Sequence, residues 1–406
     1  MPDQTSAESK SFPKILFVHD YRPDSLVVAD LIRQVLLGFP ADKLEWWSCR
    51  QTKSYAQPDL HARQVHECVI PNRLAPNVRM ARFKSLLLES FWVPRAARHL
   101  ERVIAEVKPD LVVALLFGWS VPVLARVRWP SGQRLHVSVW DFPDVSGMRK
   151  ILGESRSQRF VSDVHQLVRR ASSFDAISTG MLAELQAQTG RHDGLLIHSG
   201  FEPRHLHALA TSSPPANPGA TIRLAYVGTI ISESGFQKML AALKAVRSKV
   251  QRKVALEFFG GRNYKSRGWF EPDWMVEHGM FTDAGLVDAL RQCDWGIVVM
   301  DPESEDLRYS RFSFPNKVGT YLSAGVPILG LGNPQSSLAL IMQKYNFGRF
   351  TSATDAGGME KFFQESFQIG LPCEKFREGI LRCAQTEFNA AEMRAQLWKL
   401  WGVEGA

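Results

Sequence analysis

Two successive α/β domains, each a parallel sheet covered by helices, are what this sequence predicts. Three observations carry the expectation. The chain has 406 residues, too many for one ordinary domain of roughly 100–200. Short apolar runs alternate with segments of helical spacing, the pattern of a parallel sheet. The alternation breaks once, in Thr211-Ser-Ser-Pro-Pro-Ala-Asn-Pro-Gly-Ala220, and then restarts.

Taken in order, the apolar run Lys14–Val18 predicts a first strand. It stops at the polar loop His19-Asp20-Tyr21-Arg22-Pro23-Asp24-Ser25, before a helical pattern over Leu26–Leu37. Further strands are expected at Glu45–Ser48, Gln64–Ile70, Leu111–Leu116, Leu135–Val139, Ala176–Ser178 and Gly194–Ile197. After the break come strand Arg223–Val227, helix Gly235–Val250, strand Ala255–Phe259, helix Thr282–Gln292, strand Gly296–Met300, helix Lys317–Ala324 and strand Pro327–Leu331. The boundaries that follow are a polar tail over 1–12, a first Rossmann-like domain over 13–210, a linker over 211–220, a second Rossmann-like domain over 221–372, and a helical stretch over 373–406. Sheets of this kind offer ligand sites at the carboxyl ends of their strands. No repeat of solenoid period is visible.

Composition narrows the function classes. With 45% apolar and 22% charged residues the chain reads as globular. No apolar run has the roughly 18 residues of a membrane span. Met1–Lys10 carries no apolar segment of a secretion signal, so a cytoplasmic location is expected. Cys49, Cys68, Cys293, Cys373 and Cys383 form no CxxC pair and have no neighbouring histidine cluster, against a disulfide framework or a structural zinc. The net charge of +8 favours an anionic partner. Neither domain opens with GxGxxG followed by an acidic residue about 20 positions on, which argues against dinucleotide redox chemistry. No nucleic-acid module spacing appears, and no nucleic-acid partner is expected.

The most informative segment is Phe314-Pro-Asn-Lys-Val-Gly-Thr-Tyr-Leu-Ser-Ala-Gly-Val-Pro-Ile-Leu329. Pro315 suits a first helical turn and Asn316 suits a cap, so unpaired backbone N–H groups would gather there as a phosphate-binding device. Lys317 falls in that first turn, where the helix dipole disfavours a cation unless an anion is bound nearby. A helix simply packed on its sheet, with Lys317 solvated, is the competing reading.

In order and spacing, Arg223-Leu-Ala-Tyr-Val-Gly-Thr229, Phe258-Phe-Gly-Gly261, Val276-Glu-His-Gly-Met-Phe281, Leu286–Asp301 and Phe314–Leu329 resemble the donor half of family 4-like GT-B glycosyltransferases (glycosyl transferases group 1). Phe174–Leu185 and Ile197-His-Ser-Gly-Phe201 resemble the last strands of the same family's first domain. The resemblance covers about Lys14 to Trp401. It implies two Rossmann-like domains facing a cleft, with the C-terminal helix crossing back to the first. It also implies sugar transfer from a nucleotide diphosphate donor to a saccharide or lipid-linked saccharide acceptor in polysaccharide biosynthesis. By position, Gly228 and Thr229 approach the diphosphate, Met280 and Phe281 belong to the loop that holds the base, and Gly260, Gly261 and Arg262 lie between, with Arg262 as a phosphate contact. No Asp pair of the DxD type stands at a credible strand end, so no metal and no cofactor beyond the nucleotide sugar are expected.

The departures matter equally. Family members carry two glutamates around the Lys317 helix and a basic pair after the first donor strand. Here Phe312 and Thr320 occupy the glutamate positions and Ser234 that of one cation. Arg308, Arg311 and Lys317 are candidate replacements for the lost charge. A non-catalytic GT-B scaffold or sugar-binding protein, and a nucleotide-sugar epimerase of the same architecture, are therefore the rival readings.

On the acceptor side, His136-Val-Ser-Val-Trp-Asp-Phe-Pro-Asp144 ends a strand in an acidic loop. Trp140 stands where many members have His, and Asp141 is a candidate catalytic group on an acceptor hydroxyl; an Asp that only closes a turn is the alternative. His19 is a second catalytic candidate, against a hydrogen-bonded core histidine. Asp24 or Ser25 would cap the first helix and line the cleft. Finally, Asn72–Arg102 interleaves Arg73, Arg79, Arg82, Lys84, Arg95, Arg98 and Arg102 with Met80, Phe83, Leu86, Leu87, Phe91 and Trp92. That signature suits peripheral contact with an anionic membrane, although Pro94 interrupts it and a solvated helix face is the plainer reading.

Overall fold

A computed structural model of the chain describes residues 11–25, 30–49, 60–72, 80–141, 149–213, 219–281, 283–300 and 307–405. They form two compact units, one of residues 1–198 with 392–406 and the other of residues 199–391.

The first unit is built on seven strands: β1 (Ile15–Val18), β2 (Leu44–Ser48), β3 (Gln64–Glu67), β4 (Leu111–Leu115), β5 (Arg134–Val139), β6 (Ser173–Ala176) and β7 (Leu195–Leu196). Every pairing is parallel, in the order β3-β2-β1-β4-β5-β6-β7. Strands β1, β2 and β4 are buried at every position. That is why they read as unbroken apolar runs: helices cover both faces of a parallel sheet. Helix Val93–Val107 shows the complementary pattern, burying Ala96, Ala97, Leu100, Val103, Ile104 and Val107 along one stripe.

The second unit has six strands, β8 (Thr221–Val227), β9 (Lys253–Phe259), β10 (Met275–Glu277), β11 (Trp295–Val299), β12 (Ile328–Leu331) and β13 (Gly348–Thr351). They are again all parallel, in the order β10-β9-β8-β11-β12-β13. Both sheets thus share one winding, in which the first strand lies beside the second on one side and beside the fourth on the other.

Several expectations are corrected. The strand expected at Ala176–Ser178 lies earlier, at β6, because its Ser173 and Asp175 are buried polar residues that interrupt the apolar signal; Ser178 instead caps helix Thr179–Thr189, accepting from Met181 N at 3.1 Å. Strands β10 and β13 have no counterpart among the expected strands. Pro94 does not break its helix. A π turn over Leu88–Trp92, with Val93 N–H donating to Leu88 O, takes up the irregularity, and Pro94 falls in the first turn of helix Val93–Val107. Of the C-terminal stretch, residues from Glu392 onward belong to the first unit, where Met393, Leu397, Trp398, Trp401 and Val403 join the core and Trp398 Nε1 donates to Val35 O at 2.8 Å. Helices Pro372–Lys375 and Arg377–Glu387 stay with the second unit, because Phe376, Ile380, Cys383 and Ala384 are part of its core. Helix Pro203–Thr211, on which the first domain was expected to end, also belongs there and buries Leu209.

Candidate functional site

In each sheet the strand order reverses between the first and fourth strands, the place where doubly wound sheets take ligands at the carboxyl ends of their strands. The first unit fills this place itself. Asp20, two residues beyond the end of β1, is fully buried; its Oδ1 accepts from Ser120 N at 2.7 Å and its Oδ2 from Trp119 N at 3.0 Å, at the start of helix Ser120–Leu124 beyond β4. A carboxylate of the chain thus occupies the N–H groups that an anionic ligand would use.

The second unit has no such residue after β8, where the chain reads Gly228-Thr229-Ile230. A cation stands there instead. Lys317 Nζ donates to Thr229 O at 3.3 Å and lies 4.1 Å from the centroid of the Tyr226 ring. Among the described residues no carboxylate pairs with it. Burial pulls the ammonium of half-buried Lys317 down to about 8, because desolvation penalises its charged form.

Tyr321 fixes the helix that carries this lysine, Lys317–Ser323. Its ring is fully buried, and its hydroxyl accepts from Val227 N at 2.9 Å and reaches Ala225 O at 3.0 Å and Ile297 O at 3.1 Å. It sits where β8 and β11 pair only through Trp295↔Leu224 and Gly296↔Ala225. Burial raises its phenol well above the ordinary value, so it stays protonated and able to donate. Gly296 leaves room for the ring: a Cβ there would come within 2.5 Å of it.

The glycine loops converge on the same end of the sheet. Gly228 has φ +75° and Gly260 φ +135°, conformations that favour glycine, and a Cβ on Gly260 would lie 3.6 Å from the Gly228 backbone. Gly260 N donates to Gly279 O at 2.8 Å, and Gly261 N meets Met280 Sδ at 3.1 Å. Gly228, Gly260, Gly261 and Met280 are therefore one cluster. Met280 is 80% exposed, and Phe281 packs on Phe259 with 5.8 Å between centroids. Arg262 is exposed, its N–H donating to Gly260 O. His278 lies flat on Phe259 at 4.8 Å and is held through Nε2 by the buried Glu257, which also takes Arg223 in a two-pronged pair.

Other predicted residues fare differently. Asn316 makes no side-chain cap: its backbone is already helical, at φ −52° and ψ −29°, rather than in the extended form an N-cap needs, and the turn closes through Val318 N to Pro315 O at 2.9 Å. Pro315 is buried just before this short helix, Lys317–Ser323, and Thr320 is half-buried on it. Phe312 is buried, so an apolar side chain fills the position where the resemblance would put a glutamate. Ser234 is exposed in the first turn of helix Glu233–Arg247. Arg308 belongs to helix Leu307–Phe312, but its side chain lies outside the described residues.

In the first unit, His19 is buried, and its Nδ1 accepts from Tyr21 N at 3.3 Å, which puts the proton of the neutral ring on Nε2. Asp24 is paired with Arg22 at 3.0 Å, and Ser25 is buried with its N–H on Arg22 O. Trp140 donates from Nε1 to Asp175 Oδ1 at 2.7 Å. Fully buried Asp175 also takes His136 Nε2 at 2.8 Å and Ser138 Oγ at 2.6 Å, so Trp140 is tethered by a carboxylate that the sequence alone did not single out. Asp141 follows Trp140 and is half-buried. Among the described residues no group of three metal-ligating side chains is present.

No family model matches the sequence, and no curated protein does. Solved structures do match over nearly the whole chain. HepE of Anabaena in complex with UDP superposes with a TM-score of 0.66 at 13% identity, covering 96% of this chain and 99% of that one. Sucrose-phosphate synthase of Thermosynechococcus elongatus gives 0.64 at 11% identity, over 96% and 98%. The fold is GT-B. WaaG, a glycosyltransferase involved in lipopolysaccharide biosynthesis, shares it with a TM-score of 0.58 at 12% identity, over 97% and 100%. Within the GT-B fold the cluster around Gly228, Gly260, Met280 and Lys317 lies in the second Rossmann-like unit.

Proposed function

We propose that this chain is a glycosyltransferase that binds a nucleotide diphosphate sugar on its second unit and transfers the sugar to a saccharide or lipid-linked saccharide acceptor. The observation that carries the reading is Lys317: an ammonium lowered by burial, with no carboxylate paired to it among the described residues, beside the Gly228–Thr229 backbone at the carboxyl end of the sheet. A diphosphate is the ligand that supplies the missing charge. Several structures of like fold were solved with UDP or a UDP-sugar, which supports the same reading. The base would sit at Met280 and Phe281, with the His278–Phe259 stack behind it. Titration calorimetry with uridine, guanosine and thymidine diphosphates tests it: one of them should bind, and silence across the panel overturns the proposal.

Asp141 and His19 are the catalytic candidates on the acceptor side, with Trp140 as an acceptor contact held in place by Asp175. Asp141→Asn should cut turnover while leaving donor affinity unchanged; unchanged turnover removes Asp141 from the mechanism. Transfer is proposed to need no metal, so a chelator should leave the rate as it was. The buried Phe312 and exposed Ser234 favour one competitor, a GT-B scaffold that binds donor without turnover. Product analysis by mass spectrometry separates the readings, since transfer adds a sugar mass to the acceptor.

A lipid-linked acceptor would be met at a surface, and the first unit offers one. Met80, Phe83, Leu86 and Phe91 are exposed, and Arg82, Arg95, Arg98 and Arg102 are exposed on the same run of helices Ala81–Leu87 and Val93–Val107. Trp92 instead faces the core, its Nε1 donating to Val69 O, and Arg73 and Arg79 lie outside the described residues. No helix among the described residues is long and apolar enough to cross a membrane, which leaves peripheral contact at the cytoplasmic face as the proposed mode. Sedimentation with anionic vesicles, lost in Phe91→Ser with Arg95→Ser, is the check.

A further inference from the structure

We infer that Tyr264 is a positioning residue for phosphate binding, because its hydroxyl clamps the two peptide planes on either side of Thr229. The inference rests on the donor-site reading above and names a residue that no sequence signal pointed to. Tyr264 lies in a short 3-10 turn, Tyr264–Ser266, between β9 and β10, and its side chain is buried. Its hydroxyl donates to Gly228 O at 2.7 Å and accepts from Ile230 N at 3.2 Å.

Those two atoms belong to consecutive peptide units. Gly228 O shares a plane with Thr229 N–H, and Ile230 N–H shares one with Thr229 O. No peptide in the described chain is cis, so within each unit the C=O and N–H point in opposite directions. Holding Gly228 O toward Tyr264 therefore turns Thr229 N–H away from it. Holding Ile230 N–H toward Tyr264 likewise turns Thr229 O away, and Thr229 O accepts Lys317 Nζ. The Tyr264 hydroxyl thus sets the direction of Thr229 N–H and, together with the Tyr226 hydroxyl, which donates to Thr229 O at 3.4 Å, that of the carbonyl that holds Lys317. Thr229 is exposed, and its N–H has no acceptor among the described residues, while Gly228 N is already used by Phe259 O.

The clamp is itself anchored. Glu277, at the end of β10, accepts from Tyr264 N at 2.7 Å and Lys265 N at 3.1 Å, and the Tyr264 ring packs on Phe258 with 4.9 Å between centroids. The hydroxyl's position follows from two strands and not from the loop it holds.

The test uses Tyr264→Phe in the full chain, which keeps the ring and removes only the hydroxyl. The nucleoside diphosphate of the panel that binds wild type best is titrated by calorimetry, and the matching nucleoside, lacking phosphate, by ligand-observed NMR. The expected result is a rise of about five- to tenfold in the diphosphate Kd, the size of one ordinary hydrogen bond, with the nucleoside Kd unchanged. A second variant, Glu277→Gln, loosens the anchor and should show the same phosphate-selective loss in weaker form. A role confined to stability predicts a lower Tm with both affinities intact, and that result overturns the inference. So does an equal loss for nucleoside and diphosphate. If wild type binds no member of the panel, the donor-site reading falls, whatever Tyr264 does.

Discussion

Lys317 concentrates the chemistry of the second unit in one side chain. A hydrogen bond to the neutral carbonyl of Thr229 and the face of Tyr226 hold it, yet neither cancels its charge, and desolvation brings the ammonium to about 8. The diphosphate proposed to bind there would need the charged form. Donor affinity should therefore fall as pH rises through about 8, well below the ordinary lysine range, and calorimetry between pH 7 and 9 checks it. Lys317→Ala should weaken diphosphate binding by about 10- to 100-fold, the range of a charge-assisted hydrogen bond, and should abolish that pH dependence. Folding carries the opposite sign. A lysine whose folded value lies below its unfolded one makes the ligand-free protein gain stability as pH rises from about 8 toward 10.5, because the unfolded chain binds more protons there. Lys317→Met, which keeps the apolar stem, should accordingly leave the ligand-free Tm unchanged or higher while donor binding is lost.

Among the elements, helix Lys317–Ser323 is too short to hold itself in place, and Tyr321 does it for both strands where their order reverses. Gly296→Ala would drive a methyl group into the Tyr321 ring. Overpacking of that kind costs about 1–3 kcal/mol, and because the displaced ring carries the Lys317 helix, donor affinity should fall with the Tm. A variant that melts earlier yet binds donor as before would separate the helix from the site. Elements of this kind explain what the sequence made legible. Strands β1, β4 and β11 are buried throughout and announce themselves as apolar runs; β10 and β13 sit at sheet edges, and β13 is only half-buried at each of its four residues, so the run disappears. Gly228 and Gly260 were readable because a turn after a strand demands glycine, whereas the clamp of Tyr264 and the bridge of Tyr321 depend on chain segments 36 and 96 residues apart meeting in space. The expected cap at Asn316 failed for the converse reason: the residue type was right, and the backbone had already entered the helix.

At the scale of the whole molecule, the division into units does not follow the chain. The core of the first unit is completed by residues from its far end: Met393, Leu397, Trp398, Trp401 and Val403 pack among Phe39, Trp46 and Leu111, and Arg394 Nη1 and Trp398 Nε1 donate to Gln34 O and Val35 O. Five buried apolar side chains at about 1.5–3 kcal/mol each contribute on the order of 10 kcal/mol, as much as the whole stability of a typical domain. Ending the chain after Ala391 removes them all and leaves the core of the second unit, including Phe376, Ile380 and Phe388, untouched. Calorimetric scans of this truncated chain should therefore lose the unfolding transition of the first unit and keep that of the second. Because Lys317, Thr229 and Tyr264 all lie within 199–391, the nucleoside diphosphate should still raise the remaining transition. Survival of both transitions after truncation would show that the first unit folds without its C-terminal helix. Loss of the ligand-induced shift would show that the donor site draws on residues outside the second unit.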